Sequence, residues 1–329
     1  MKFNRHSIDN QPTQTFVKKY IHMKPISRRS FIQYSGTFMS AAMLDTNTLF
    51  KPKLPLLAFS TLGCPDWTLD KILDVAVANN YNGIEIRGIQ REMDLGKTPH
   101  FNSDASIKET RKKFSDRNLK IVGFGSSAAM HHAAEADRSK AMDEAKRFIE
   151  IAGKAGCPYV RVFPNNFPKE VPKEKTMELM SSGLNDLASF SKGTDVKILM
   201  ETHGDLIWSD DLVKVMNTVD GKQVGLVWDI SNMWTVTKED PKLVYDKLKK
   251  WVWHTHIKDI SLADGKHTYT LFGEGDVPAF EAIDMLEKNN YKGYYSFEWE
   301  KMWHPEIAEP EVAIPHYAEV MKKHFTKKK

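Results

Sequence analysis

The chain has 329 residues, of which 41% are hydrophobic and 27% charged, and no apolar run approaches the roughly 18 residues that cross a membrane. Residues 1–50 hold seven of the 47 Lys and Arg residues and two of the 43 acidic residues, so the remaining chain is nearly neutral despite a formal net charge of +4. We therefore expect neither stable membrane insertion nor binding to nucleic acid, which requires a basic stripe.

The N-terminal region differs in pattern from the rest of the chain. Within residues 23–44, a charged stretch with Arg28 and Arg29 precedes a short apolar segment that ends in small residues. This order resembles a twin-arginine export signal, with a basic N-terminal helix as the alternative. We expect residues 1–50 to be an export signal and linker, starting at Met23, and the protein to be periplasmic or otherwise exported.

From Leu54 onward, short β-branched runs alternate with longer stretches in which apolar residues recur every three or four positions. The runs predict eight strands, at residues 54–60, 82–88, 119–125, 158–164, 196–202, 223–229, 251–257 and 293–299. Eight β/α units in roughly 275 residues are typical of a (β/α)8 TIM barrel. A doubly wound α/β sheet would usually need fewer strands and a Gly-rich first turn, which "STLGCPDW" (60–67) is not. We expect one domain over residues 54–329.

The chain contains two cysteines, Cys64 and Cys157. Cys64 follows the first predicted strand, whereas Cys157 precedes the fourth. A barrel would therefore hold them at opposite ends, beyond the Cα separation of about 7 Å that a disulfide allows. We expect two free thiols.

Polar side chains stand at the ends of predicted strands five to eight. In chain order they are Glu201, Asp229, His256 and Glu298. Since active-site groups of a barrel lie at the C-terminal strand ends, the four should converge. Three carboxylates at short range repel one another unless a cation lies between them. An oxygen-rich set with one imidazole suits one divalent ion, Mn²⁺, Mg²⁺, Co²⁺, Fe²⁺ or Zn²⁺.

These residues resemble the motifs of the xylose-isomerase-like TIM-barrel superfamily, which includes sugar phosphate isomerases and epimerases. Its marks are Glu on strand five, Asp on strand six, the second His of an HxHxKD-like strand seven, here "HTHIKD" (254–259), and Glu five residues after Gly on strand eight, here Gly293 and Glu298. "FGEGDVPAF" (272–280) also resembles a family segment. The resemblance covers the whole predicted barrel. It implies that Glu201 and Glu298 are both metal ligands and the acid/base pair.

One position departs from the family pattern. Many relatives carry His three residues after the strand-six Asp, where this chain has Asn232. In the DNA-repair endonuclease branch that His helps to hold a metal cluster, so Asn232 favours one ion and argues against cleavage of abasic DNA. In the epimerases the same His contacts the substrate, so the substrate's pose here stays open.

Seven side chains are candidates for substrate contact: His203, Asn232, Lys258, Arg161, Glu85, Trp234 and Trp303. The resemblance implies this role for His203, with support of a metal ligand as the alternative. Lys258 and its neighbour Asp259 would contact substrate hydroxyls or pair with each other. His254, one layer below His256, is interpreted as a hydrogen-bonded core imidazole.

The remaining candidates keep two interpretations each. Glu85 and Arg161 share the inward parity on strands two and four and would form either a buried ion pair or a substrate clamp. Trp234 and Trp303 lie in predicted loops, where they would stack on a sugar or mark a subunit contact in a homo-oligomer.

The residues and the resemblance together favour an enzyme that acts on a small carbohydrate. A divalent ion would acidify the C–H bond next to a sugar carbonyl through an enediolate, and two carboxylates would move the proton, as in an isomerase or epimerase. The alternatives are a metal-dependent lyase or dehydratase of keto-sugars or 3-keto-glycosides, and a catalytically inactive carbohydrate-binding barrel. Glu274 and Asp276 after strand seven would repel phosphate, so we expect an unphosphorylated substrate.

Overall fold

A computed structural model describes residues 54–327 of the protein. The predicted export signal, residues 1–50, lies outside the described residues. Between residues 54 and 327, no helix combines the length and the apolar character that crossing a membrane requires.

Eight parallel strands close into a barrel, and two more form a hairpin beside it. The strands of the described region are Leu57–Ser60 (β1), Gly83–Ile86 (β2), Lys120–Ala129 (β3), Tyr159–Phe163 (β4), Lys197–Glu201 (β5), Val224–Asp229 (β6), Val252–Ile257 (β7), Asp259–Ser261 (β8), Thr268–Thr270 (β9) and Tyr295–Phe297 (β10). The barrel order is β1-β10-β7-β6-β5-β4-β3-β2, and β8 pairs with β9. The predicted TIM barrel is confirmed, and each of the eight predicted runs overlaps one barrel strand.

Helices surround the barrel strands. Those of the described region are Leu69–Ala78 (α1), Asp104–Asp116 (α2), Glu135–Ala155 (α3), Lys173–Ser191 (α4), Ser209–Met216 (α5), Ile230–Thr237 (α6), Pro241–Leu248 (α7), Ala279–Lys288 (α8) and Pro310–Lys327 (α9). Helix α3 shows how a helix of this chain ends. Gly156 follows it with φ at 68°, a left-handed conformation that glycine adopts without steric cost and that turns the chain toward β4.

The strands are buried because helices cover their outer face and side chains fill the barrel. Strands β1, β2 and β6 are buried along their whole length, as expected of parallel strands that are covered on both faces. The register pairs Asp229 of β6 with His256 of β7, and His256 with Ser296 of β10. Polar residues from the later strands therefore reach the same level of the barrel.

The two cysteines are free and buried, as predicted. Cys64 ends the turn after β1, and Cys157 directly precedes β4. Because all barrel strands run in one direction, these positions lie at opposite ends of the barrel.

Candidate metal centre

Four side chains meet at the C-terminal ends of β5, β6, β7 and β10. Glu201 ends β5, Asp229 ends β6, His256 lies near the end of β7, and Glu298 directly follows β10. One candidate ligand atom from each lies within 4.8 Å of the others, and all four side chains are buried. Strand ends that are far apart in sequence thus meet at one point.

Several polar atoms of this cluster lack a hydrogen bond. Glu201 Oε2, Asp229 Oδ2 and His256 Nδ1 are buried and have no hydrogen-bonding partner. His256 Nδ1 lies 3.1 Å from Glu298 Oε1 and 3.6 Å from Glu201 Oε1, so it faces carboxylate oxygens. Arg161 and Lys258 lie within ion-pair distance of the two carboxylate atoms but complete no hydrogen bond to them, whereas one divalent cation would satisfy all three atoms together. The donor set fits the expected metal ion.

Glu85 holds the imidazole of His256 in place. Its Oε1 and Oε2 lie 3.1 and 2.9 Å from His256 Nε2, and Oε2 lies 2.8 Å from His254 Nε2. When Glu85 accepts the Nε2–H of His256, the Nδ1 lone pair stays available to a metal. Burial raises the pKa of Glu85, but the two imidazoles outweigh burial and hold that pKa below its ordinary value. His254 is thus a hydrogen-bonded core imidazole.

Lys258 lies inside the same cluster and is fully buried. Its Nζ donates to Glu298 Oε2 at 2.5 Å and to Glu300 Oε1 at 2.8 Å. It also lies 2.7 Å from Asp229 Oδ2, without the angle of a hydrogen bond. Burial lowers the pKa of Lys258, but the carboxylates outweigh it and hold that pKa well above its ordinary value. The structure therefore shows Lys258 in ion pairs with the candidate ligands.

Of the two interpretations of Lys258 and Asp259, the pairing with each other is wrong, because successive side chains of an extended segment point to opposite sides. The Asp259 carboxylate instead accepts four backbone N–H groups at 2.9 to 3.3 Å, those of Ile260, Gly273, Gly275 and Val277. Asp259 fixes the loop after β7 and does not belong to the cluster.

Of the two interpretations of Glu85 and Arg161, the ion pair between them is wrong, whereas the substrate clamp stays a prediction. Glu85 contacts the imidazoles, whereas Arg161 Nε lies 3.1 Å from Glu201 Oε2 and its Nη1 donates to Ser126 O at 2.8 Å. The guanidinium carbon of Arg161 lies 3.8 Å from the centre of the Phe163 ring. Arg161 therefore neutralises Glu201 and borders the mouth of the barrel.

Sequence reasoning missed Arg87, which is 6% exposed and directly follows β2. Arg87 donates to Ser127 Oγ at 2.9 Å and to Gly125 O at 3.3 Å. In "GIEIRG" it has the same parity as Glu85, so the alternation that identified Glu85 also identifies Arg87.

The other predicted substrate contacts follow strand ends on the same side of the barrel: His203 and Trp303 lie in loops, whereas Asn232 and Trp234 lie on α6. The prediction that Trp234 lies in a loop is wrong, because the chain enters a helix directly after Asp229. The His203 ring lies 5.0 Å from that of Phe163, and its Nδ1 is buried without a partner. The backbone N–H of Asn232 donates to Asp229 Oδ1 at 2.8 Å and orients that carboxylate. Trp234 packs against the core beneath Lys238, and Trp303 is 53% exposed.

Tyr269 is a second residue that the sequence did not indicate. It lies on β9, and its ring centre is 4.8 Å from that of His304 in the loop after β10. Burial raises the pKa of Tyr269, Lys258 opposes that effect, and Glu300 adds to it, which places the phenol within the electrostatic reach of the cluster. Within the described region its hydroxyl makes no hydrogen bond, so it remains available to a ligand.

The three acidic residues of the cluster differ in their protonation. Burial raises the pKa of Asp229 to about 7, because Glu298 and Glu201 add to burial and Lys258 and His256 only partly oppose it. Burial and Glu298 also raise the pKa of Glu201, yet Arg161 and His256 bring it below its ordinary value. His256 and Lys258 outweigh burial and hold the pKa of Glu298 well below its ordinary value.

Known proteins share this architecture. A curated inosose dehydratase of Clostridium perfringens is 24% identical over 277 residues, which cover 74% of this chain and 90% of that protein. The crystal structure of the IOLI protein with a bound zinc atom has a TM-score of 0.69 and 20% identity, over 82% of this chain and 98% of that one. The apo 3-keto-D-glucoside 4-epimerase YcjR of E. coli has a TM-score of 0.64 and 14% identity, over 82% and 99%.

At these identities the two solved structures show the fold alone. The family model described as xylose isomerase-like TIM barrel matches residues 73–324, from the middle of α1 to the last helix. Since that match spans most of the barrel and all four residues of the cluster, the chain belongs to the xylose isomerase-like TIM barrel family.

Proposed function

We propose that the protein is a divalent-metal-dependent lyase that removes a proton next to the carbonyl of an unphosphorylated keto-sugar or cyclic keto-polyol and eliminates water. The observation that carries the proposal is the convergence of four buried side chains, three of which present a polar atom without a hydrogen bond. Glu201, Asp229, His256 and Glu298 would hold the ion. The similarity to inosose dehydratase supports elimination over isomerisation.

A divalent ion in this cluster would polarise a carbonyl oxygen and acidify the neighbouring C–H bond. Glu201 and Glu298 supply the proton transfers, because both carboxylates border the space beside His256 Nδ1. One carboxylate takes the proton from carbon, and the electron pair forms a C=C bond as the C–O bond of the next carbon breaks. The leaving oxygen takes a proton that the Lys258 ammonium delivers through the carboxylate of Glu298, and it departs as water.

The neighbours of the two glutamates differ, which favours elimination. Glu201 faces the guanidinium of Arg161, whereas Glu298 accepts a hydrogen bond from the ammonium of Lys258. Elimination needs one group that takes a proton and another that gives one. Epimerisation instead needs both groups to do each in turn, on opposite faces of one carbon.

Epimerisation is the second candidate. The observation in its favour is that both glutamates contact the same imidazole nitrogen from different strands, so they border one space from two sides. If residues 1–50 direct export, as we also propose, either reaction would use a substrate found outside the cytoplasm. Such a substrate would rarely carry phosphate.

The test is incubation of the Mn²⁺-loaded protein with keto-inositols, keto-sugars and 3-keto-glycosides in deuterated water. We expect mass spectrometry to show loss of one water from a keto-polyol. Deuterium uptake without loss of water would identify an epimerase or isomerase instead. Binding of these compounds with neither result would leave a carbohydrate-binding barrel.

A further inference from the structure

Two guanidinium groups lie side by side where β2, β3 and β4 open into the mouth. Arg87 and Arg161 are 6% and 4% exposed. Gly125 lies between them, and a Cβ at this position would fall 2.7 Å from Arg87 Cδ and 2.8 Å from Arg161 Nη2. Glycine is required here because a larger residue would fill the space that the arginines share. We call Arg87, Arg161 and Gly125 the arginine corner.

The charges of the arginine corner are incompletely balanced. Arg161 has Glu201 at 3.1 Å, but Arg87 contacts only the neutral acceptors Gly125 O and Ser127 Oγ. Among the described residues, no carboxylate oxygen lies within 4.0 Å of Arg87. Burial and the charge of Arg161 lower the pKa of Arg87 to about 9, although the charges of Glu144, Glu201 and Glu298 raise it, so Arg87 remains a cation at neutral pH.

On the opposite side of the mouth, the positive charge is already surrounded by carboxylates. There the single ammonium of Lys258 faces Asp229, Glu298 and Glu300 at 2.5 to 2.8 Å. Glu201 is the carboxylate that the arginine corner contacts, and it is also a candidate metal ligand. A metal ion bound by Glu201 would offset the negative charge that Glu201 presents to Arg161. The net positive charge of the arginine corner would therefore increase when the ion binds.

We propose that the arginine corner binds a carboxylate of the substrate, so that the substrate is a polyhydroxylated keto acid whose carbonyl end lies at the metal centre. Only the placement of the substrate carbonyl at the metal centre rests on the proposed function. A carboxylate supplies both a negative charge and two oxygens for the planar guanidinium groups. Hydroxyl groups would accept hydrogen bonds but would leave the buried charge of Arg87 without a carboxylate partner.

The test compares three sugars that differ at one carbon: glucose, glucuronate and glucose 6-phosphate. Titration calorimetry with the Mn²⁺-loaded protein is expected to show glucuronate binding about tenfold or more tightly than glucose. Arg87→Gln removes the charge and should abolish the preference, whereas Arg87→Lys should retain part of it. Arg91→Gln is the matched control, because Arg91 is exposed and pairs with Asp66. The control should bind as the wild type does.

Equal affinity for glucose and glucuronate in the wild type would overturn the proposal, as would a preference that persists in Arg87→Gln. Tightest binding of glucose 6-phosphate would assign the corner to phosphate and also overturn it. The comparison of glucose with glucuronate in the wild type tests the proposal even if a variant fails to fold. Because calorimetry requires no turnover, a glucuronate preference without any reaction of keto-polyols would refute the proposed function and leave the corner standing.

Discussion

Asp229 is the candidate ligand whose protonation changes near neutral pH. Its carboxyl group is fully buried beside Glu201 and Glu298, and these carboxylates add to burial in raising its pKa to about 7. The ammonium of Lys258 only partly opposes this effect. A cation that binds at this site must therefore displace a proton when the pH is below about 7.

Affinity for Mn²⁺ is expected to rise as the pH increases through 7, because Asp229 must lose its proton to bind a cation. His256, whose pKa its carboxylate neighbours hold well above its ordinary value, acts in the same direction. Asp229→Asn should weaken Mn²⁺ binding about tenfold or more and flatten the pH dependence. Calorimetry from about pH 6 to about pH 8 measures both effects, with exposed Asp246→Asn as the control. A wild-type affinity independent of pH would contradict the assignment.

Substitution by Gln tests whether Glu201 and Glu298 transfer protons as well as bind a metal, because Gln lacks the basic carboxylate. Glu201→Gln and Glu298→Gln each keep a neutral oxygen ligand, so sugar binding should change little. The rate of deuterium exchange or elimination should fall about 10²- to 10⁴-fold. Glu178→Gln, at an exposed pair with Lys175, is the matched control and should react as the wild type does. Unchanged rates in both active-site variants would place the proton transfers on other groups, with His203 and Lys258 to be tested next.

Alternation along the strands predicts which side chains point inward, and this was sufficient to bring Glu201 and His256 to one point. It does not predict which opposite charge each will meet. Glu85 and Arg161 both point inward, but the distances across the barrel pair Glu85 with imidazoles and Arg161 with Glu201. Arg87 has the same parity as Glu85, so alternation indicates an inward side chain there as well.

At the scale of elements, the hairpin of β8 and β9 is the addition that the sequence did not predict. Its strands have three residues each, too short for a periodic pattern to show. The Asp259 carboxylate anchors the hairpin, because it accepts hydrogen bonds from the backbone N–H groups of Gly273 and Gly275 in the loop between β9 and α8. A Cβ on Gly275 would lie 2.2 Å from Asp259 Oδ1, so this position requires glycine.

Asp259→Ala is expected to lower the free energy of unfolding by about 2–3 kcal/mol, because four backbone N–H groups, of which those of Ile260 and Val277 are buried, lose their acceptor. Urea unfolding measures the loss, and hydrogen exchange should speed up at Gly273 and Gly275. Glu274→Ala, at an exposed position of the same loop, should change stability by less than about 0.5 kcal/mol. Equal stability of the two variants would show that the carboxylate does not anchor the hairpin.

The segment between β6 and β7 also differs from a simple β/α unit, because it forms two helices. Lys238, with φ at 55°, ends α6, and Pro241 begins α7 at a position where proline fits the first helical turn. The sequence carries a signal for the second helix, since Asp240 followed by Pro241 is typical of a helix N-terminus, but the apolar spacing does not indicate the left-handed conformation of Lys238.

At the scale of the whole molecule, the strand count was predictable because the barrel covers every strand on both faces. Parallel strands in this setting appear as continuous apolar runs, and the eight runs matched the eight barrel strands. The closure between β1 and β10 was inferred from that count, because no local pattern encodes a contact between the two ends of the domain.

The reactivity of the two buried thiols, Cys64 and Cys157, depends on the packing of the whole barrel. Burial raises the pKa of both Cys64 and Cys157 well above the ordinary value, so neither forms the reactive thiolate at neutral pH. We expect both to resist a thiol reagent at about pH 8 in the folded protein and to react together after unfolding in urea. A Ser103→Cys variant, at an exposed helix N-cap, provides a reactive control. Rapid labelling of either native thiol would show that its end of the barrel opens independently.

The late position of β10 in the sequence determines when a newly made chain can complete the candidate metal site. Glu298 follows β10 directly, and β10 joins both β7 and β1. During synthesis the ribosome must release nearly the whole barrel before this last strand can enter. A nascent chain that lacks β10 has Glu201, Asp229 and His256 but an open sheet, so the binding of an ion by all four candidate ligands would have to follow the synthesis of β10.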